Sequence, residues 1–245
     1  GNASLRAQPF PSVKSPADRL IPLAENLEDH AEAAVTNVLA TEPPFLERSV
    51  YSDELSEESA ARVHELEPGP APGLPPGAPP GPSGLWEPVA TLAVAQRAKA
   101  LLERAGATVL LTRTDSSPVD LFPRTRFAEE HDADVLVSIH ANALPDGVNP
   151  FANNGTSVYY FHPRSAGLAR ALDRALVGEL GVRDLGMGRG DYALVRNPWM
   201  PSALTEGLFM MIPEQEAMLG SPEGQLRYAR GIVRGIEEFL REMAR

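Results

Sequence analysis

The sequence predicts an α/β fold: a mostly parallel central sheet with helices on both faces, in three α/β/α layers, preceded by an irregular acidic N-terminal segment. Two observations carry that expectation. From Leu85 onward, short apolar runs alternate with stretches of helical periodicity, the pattern of strands joined by helical crossovers. Several of the short runs, such as "ATVLLT" and "DVLVSI", are nearly continuous in apolar residues, which marks strands covered on both sides.

Taken in order, residues 1–60 are acidic and irregular, with helical potential between Ala17 and Leu39 and an acidic helix start in "SDELSEESAARV". They are read as a segment of unclear fold, and residues 61–245 as one α/β domain. Residues 68–84, "PGPAPGLPPGAPPGPSG", are almost entirely Pro, Gly and Ala, a loop or polyproline composition. "EPVATLAVAQRAKALLERAG" predicts a helix that stops at Gly106 after Arg104, a basic last turn followed by glycine. "ATVLLT" predicts a strand, "FPRTRFAEEHDA" a short helix, "DVLVSI" a second strand and "TSVYYF" a third, rich in β-branched and aromatic residues. "SAGLARALDRALVGEL" is an amphipathic helix, "DYALVR" and "PSALTEGLF" are read as strands, and "EGQLRYARGIVRGIEEFLREMA" closes the chain as a helix striped by Leu226, Ile232, Ile236 and Phe239.

Composition excludes several function classes. The net charge is −11, from 33 acidic and 22 basic residues, which argues against a nucleic-acid partner because phosphate backbones need a basic face. There is no cysteine, so thiol catalysis, disulfides and zinc–thiolate centres are out, and any metal must be held by His, Asp or Glu. No run of about 18 apolar residues predicts a membrane span, and no signal peptide is seen in the chain. "GMGRGDY" has the glycines of a nucleotide loop but neither follows a predicted strand nor opens a long helix, so it is not read as one.

Three residues stand out chemically. His140 ends an apolar strand in "VLVSIHANALPDG", at the carboxyl edge where ligands bind in parallel sheets. Glu206 interrupts the apolar "SALTEGLFMMI", and a buried carboxylate is costly unless paired or ligated. Glu87 opens the first helix of the regular region. Each has a structural reading: Glu87 as a carboxylate favoured in a first helical turn, His140 as a hydrogen-bonded strand end. Together they fit a zinc hydrolase, in which the metal makes water acidic and a nearby carboxylate moves its proton. His131, beside Glu129 and Glu130, reads as a solvated helix face, and His162 as a surface loop or groove wall. Met210, Met211 and Trp199 read as core or rim packing.

These segments resemble the zinc-dependent N-acetylmuramoyl-L-alanine amidases of the amidase-3 family. The match is carried by "GLWEPVATLAVAQRAKALLERAGATVLLTRTD", "RTRFAEEHDADVLVSIHANA", "NNGTSVYYF" and "LVRNPWMPSALTEGLFMMIPEQEAML", in the family's order and at about its spacing. The resemblance implies Zn2+ as cofactor, with Glu87 and His140 as metal ligands and Glu206 as the catalytic carboxylate. It implies Arg124, Asn142 and Asn154-Gly155 as supporting positions. It further implies cleavage of the amide between N-acetylmuramic acid and L-alanine, peptidoglycan as partner, and the periplasm or cell envelope as location, with a regulatory protein partner left open.

One motif departs from the family. Its other zinc histidine stands just after the first strand, in a "DPGHGG" pattern, and here Pro70 follows "LEPG" at that position. Proline ligates no metal. His64 stands six residues earlier, so using it would slide the strand by about 20 Å at ~3.3 Å per residue. His30 would have to reach in from the acidic segment. The remaining reading is a two-ligand site, and with it a catalytically impaired protein on the same fold that binds peptidoglycan or a protein partner.

Overall fold

The computed structural model describes residues 66–68, 80–115, 121–144 and 147–243. The acidic N-terminal segment, most of the Pro/Gly-rich loop, and Pro70, His64 and His30 lie outside the described residues. The elements are β1 (Leu66–Pro68), α1 (Glu87–Arg104), α2 (Leu121–Glu130), β2 (Leu136–Asn142), β3 (Thr156–Tyr160), α3 (Ala166–Leu180), β4 (Asp184–Arg189), β5 (Ser202–Phe209), α4 (Pro213–Gly220) and α5 (Pro222–Met243). The five strands form one sheet in the order β1-β2-β5-β3-β4. Three ladders are parallel and the β3–β5 ladder is antiparallel. The connections account for this: α3 supplies the crossover that parallel neighbours β3 and β4 require, whereas no helix intervenes between β2 and β3 among the described residues, and the chain reverses there.

One face of the sheet is covered by α1, α3 and α5. Their apolar stripes meet Val137, Ile139, Val158, Ala203 and Leu208 in the main core. The other face carries α2, where Ala128, Ala133, Leu136, Leu194 and Met200 form a second, smaller cluster. Leu136 and Val137 thus point to opposite layers, the alternation that makes β2 apolar throughout. Helices α3 and α5 approach so closely that a Cβ on Gly235 would lie 2.6 Å from the Leu172 Cα, and one on Gly231 2.7 Å from a Leu176 methyl. Two glycines four residues apart on α5 are what admit this contact.

Three elements differ from the sequence expectation. "DYALVR" is not a strand: Ala193–Arg196 form a 3₁₀ turn whose Leu194 and Val195 are buried. A three-residue apolar run cannot by itself distinguish a strand from a turn of helix. "ATVLLT" makes only a single bridge at Leu111 among the described residues. Its Ala107 and Val109 are buried, but the Val109 carbonyl takes a hydrogen bond from the Lys99 ammonium of α1. Finally, the glycine-rich "DLGMGR" is the edge strand β4, hidden in the sequence because glycine weakens the strand signal.

Candidate active site

Helix α1 begins at the carboxyl edge of the sheet, with Pro88 in its first turn and Glu87 as its first-turn acid. The carboxylate does not face solvent: Glu87 is 3 % exposed. Its Oε1 accepts a hydrogen bond from the Ala141 N–H at 3.1 Å and lies 3.0 Å from His140 Nδ1. Behind this turn the buried Arg113 guanidinium donates to the Pro88 carbonyl at 2.7 Å and to the Asp115 carbonyl at 2.8 Å. Burial pulls its pKa down to about 10, with Asp115 and Glu87 opposing the shift.

Glu206 is the Cα register partner of His140 on β5, and on its other side it is paired with Ser157 of β3. Its Oε2 is buried and has no hydrogen-bond partner among the described residues. Burial pushes the carboxyl up to about 7, His140 opposing and Glu87 adding to the shift. Burial pulls the His140 imidazole down. The hydrogen bond to Glu87 and the charges of Glu87 and Glu206 outweigh it against the opposing charge of Arg124, and its pKa stands above the ordinary value. Arg124 is the largest fully buried side chain of the chain's described part.

Beside Glu206 the sheet opens into a cavity of about 370 Å³, lined by Asn142, Ser157, Tyr159, Gly186, Gly188 and Phe209 among others. The glycines of β4 thin this wall. Asn154 is tied elsewhere: its Oδ1 accepts from Gln215 Nε2 at 2.8 Å, and Gln215 Oε1 accepts from the Phe209 N–H at 2.7 Å, which steadies the end of β5. His131 is exposed, with Nδ1 2.8 Å from the Phe127 carbonyl. His162 Nε2 lies 2.8 Å from the Arg196 carbonyl. Met210 is buried, and Trp199 is 66 % exposed.

The structure therefore brings Glu87, His140 and Glu206 to one edge of the sheet. Among the described residues no three His, Asp or Glu side chains are grouped to hold a metal. Two donor atoms on a tetrahedral zinc at about 2.0–2.1 Å stand roughly 3.3 Å apart, so the 3.0 Å between His140 Nδ1 and Glu87 Oε1 fits a pair of ligands to one ion. Sequence reasoning passed over Arg113 and Tyr228; Tyr228 stood inside a helical stripe and looked like any core aromatic.

A carboxylate–imidazole pair with a second, desolvated carboxylate on the neighbouring strand can bind a cation and move a proton, the equipment of a hydrolytic enzyme. Comparison with known proteins is specific. Residues 69–238 match the N-acetylmuramoyl-L-alanine amidase family. Among curated relatives, the N-acetylmuramoyl-L-alanine amidase AmiC of Neisseria meningitidis is 30% identical over 205 residues, 65% of this chain and 48% of that protein. The endolysin of Bacillus phage SPP1 is 30% identical over 167 residues, 64% of this chain and 59% of that protein. The chain thus spans about half the length of these two relatives. Among solved structures, the catalytic domain of the amidase CwlV from Bacillus (Paenibacillus) polymyxa var. colistinus superposes with a TM-score of 0.67 at 31% identity, covering 74% of this chain and 98% of that one. AmiC2 of Nostoc punctiforme gives a TM-score of 0.67 at 32% identity over 74% and 97%. The chain belongs to the N-acetylmuramoyl-L-alanine amidase family and has the fold of the family's catalytic domains.

Proposed function

We propose that this chain is a zinc-dependent cell-wall hydrolase that cleaves the amide between N-acetylmuramic acid and the first L-alanine of peptidoglycan. The observation that carries the reading is the convergence of Glu87 and His140, 53 residues apart in the chain, at 3.0 Å, beside a buried carboxylate on the adjoining strand. Glu87 and His140 would hold the metal. When bound, zinc supplies Lewis acidity at the scissile carbonyl and lowers the pKa of water. Glu206 takes a proton from the attacking water and delivers it to the leaving nitrogen, so that water adds across the C–N bond. Its pKa near 7 suits a group that must accept and return one proton near neutral pH. The cavity beside Glu206 would receive part of the substrate. Ala141 N–H and Arg113 keep the Glu87 turn in place.

Since peptidoglycan lies outside the cytoplasmic membrane, the proposed site of action is the periplasm or cell envelope. A probable cell wall amidase, LytH of Staphylococcus epidermidis, is 28% identical over 175 residues, which supports that reading. No helix among the described residues is long and apolar enough to cross a membrane. A second reading rests on Pro70, which stands at the family's other zinc-histidine position: a protein that binds peptidoglycan without turning it over.

Metal analysis of the purified chain, paired with release of stem peptide from peptidoglycan with and without chelator, tests both. Stoichiometric zinc and chelator-sensitive release support hydrolysis. Absence of zinc and of release, even with zinc added, leaves the binding reading.

A further inference from the structure

The β2–β5 ladder breaks at the site. Pairing runs Leu136↔Ser202 through His140↔Glu206 and then resumes at Asn142↔Phe209, so β5 carries one extra residue immediately after Glu206. The phase of the ladder is set on both sides of the break: Leu136 N–H donates to the Pro201 carbonyl at 3.0 Å, and Met210 N–H to the Asn142 carbonyl at 2.9 Å. Continued through the break, that phase calls for a bond from the Gly207 N–H to the His140 carbonyl. At that point the Gly207 N–H donates to the Tyr228 hydroxyl at 2.9 Å, and the hydroxyl donates to the His140 carbonyl at 2.8 Å. One phenol oxygen, delivered from α5, thus links the two strands at the bulge. Thr205 Oγ1, 2.9 Å from the same hydroxyl and 3.2 Å from the Ser138 carbonyl, keeps it in line. The ring requires glycine beneath it, because a Cβ at Gly207 would lie 2.3 Å from Tyr228 Cζ. From the opposite side, Thr156 Oγ1 donates to the Gly207 carbonyl at 2.7 Å.

We propose that Tyr228 is a positioning residue for hydrolysis: its hydroxyl bridges the Gly207 amide and the His140 carbonyl at the bulge and sets the spacing between the peptides that carry His140 and Glu206. The extra residue follows Glu206 directly, and bulges re-aim the side chains beside them. The phenol keeps that bulge to a single conformation. This rests on the amidase reading above.

The test is Tyr228→Phe in the full chain, with Thr205→Val, which keeps the ring and removes its aligning hydroxyl. Leu226→Ala, a cavity on the same helix away from the bulge, serves as the stability control, all measured well below their melting temperatures. Tyr228→Phe is expected to speed hydrogen exchange of the Gly207 amide at least about 10-fold. Zinc affinity or kcat should fall about 10–100-fold, the usual effect of removing a group that orients a ligand, with KM nearly unchanged. Thr205→Val moves the same quantities in the same direction, and Leu226→Ala leaves them near wild type. Wild-type Gly207 exchange, zinc affinity and kcat in both hydroxyl variants would overturn the proposal, as would equal losses in Leu226→Ala. If the unaltered chain loaded with zinc releases no stem peptide, the amidase reading fails instead, and amide exchange with zinc affinity still decides the role of Tyr228.

Discussion

Glu206→Gln separates a catalytic carboxylate from a structural one, because the two roles predict opposite signs for stability. Glutamine keeps the shape and removes the charge. The carboxyl titrates near 7 in the folded chain against an ordinary 4.5, so the folded state binds this proton more tightly than the unfolded one. Below pH 4.5 both states are protonated and the group costs nothing. Between about 4.5 and 7 stability falls as pH rises, and above 7 the full cost stands. Two and a half units at about 1.36 kcal/mol each come to roughly 3 kcal/mol, a figure in which the opposing attraction to His140 is already included. With metal chelated, Glu206→Gln should melt about 6–12 °C above the unaltered chain at pH 8, with the gap closing toward pH 4.5. Stem-peptide release should be abolished while zinc content is retained. Thermal melts across pH read the first outcome and the release assay the second. A variant less stable than the parent at pH 8 would refute the desolvated-carboxylate argument, and surviving turnover would refute the proton-transfer role.

Removing the proposed metal ligands by Glu87→Ala or His140→Ala should abolish stoichiometric zinc binding, read by metal analysis after gel filtration; full retention would remove these residues from the ligand set. Asp173 on α3 is buried, and its Oδ1 has no hydrogen-bond partner among the described residues; burial and the nearby Asp184 push its carboxyl to about 6 from 3.8. Its destabilisation therefore develops between about pH 4 and 6 and persists above, so Asp173→Asn should stabilise the chain at pH 7.5 by about 1–3 kcal/mol and leave it unaffected near pH 3.5, as denaturant titrations would show. Gly235→Ala must push α5 off the Leu172 backbone and should destabilise by more than about 2 kcal/mol, seen as a lowered denaturation midpoint.

Much of this protein could be read from the order of its residues. The apolar run ending in His140, the helix opening at Glu87 and the amphipathic repeat of α5 are local patterns, and local patterns report the elements and which face of each is buried. Family resemblance added roles to Glu87, His140 and Glu206 that spacing alone left open. Elements failed to show where local signals were weak or shared: "ALV" suits a strand or a 3₁₀ turn, and the glycines of β4 have no side chains to announce a strand.

What tertiary structure alone decided is the chemistry between distant residues. The 3.0 Å contact of Glu87 with His140 depends on where a helix end meets a strand end. The elevated pKa of Glu206 depends on burial that no residue confers on itself. Tyr228 reads in the sequence as one more apolar position on a helix; only the break in a neighbouring ladder makes its hydroxyl matter. Hydrophobic periodicity is written one element at a time, whereas hydrogen bonds and desolvation at the site arise from the packing of several.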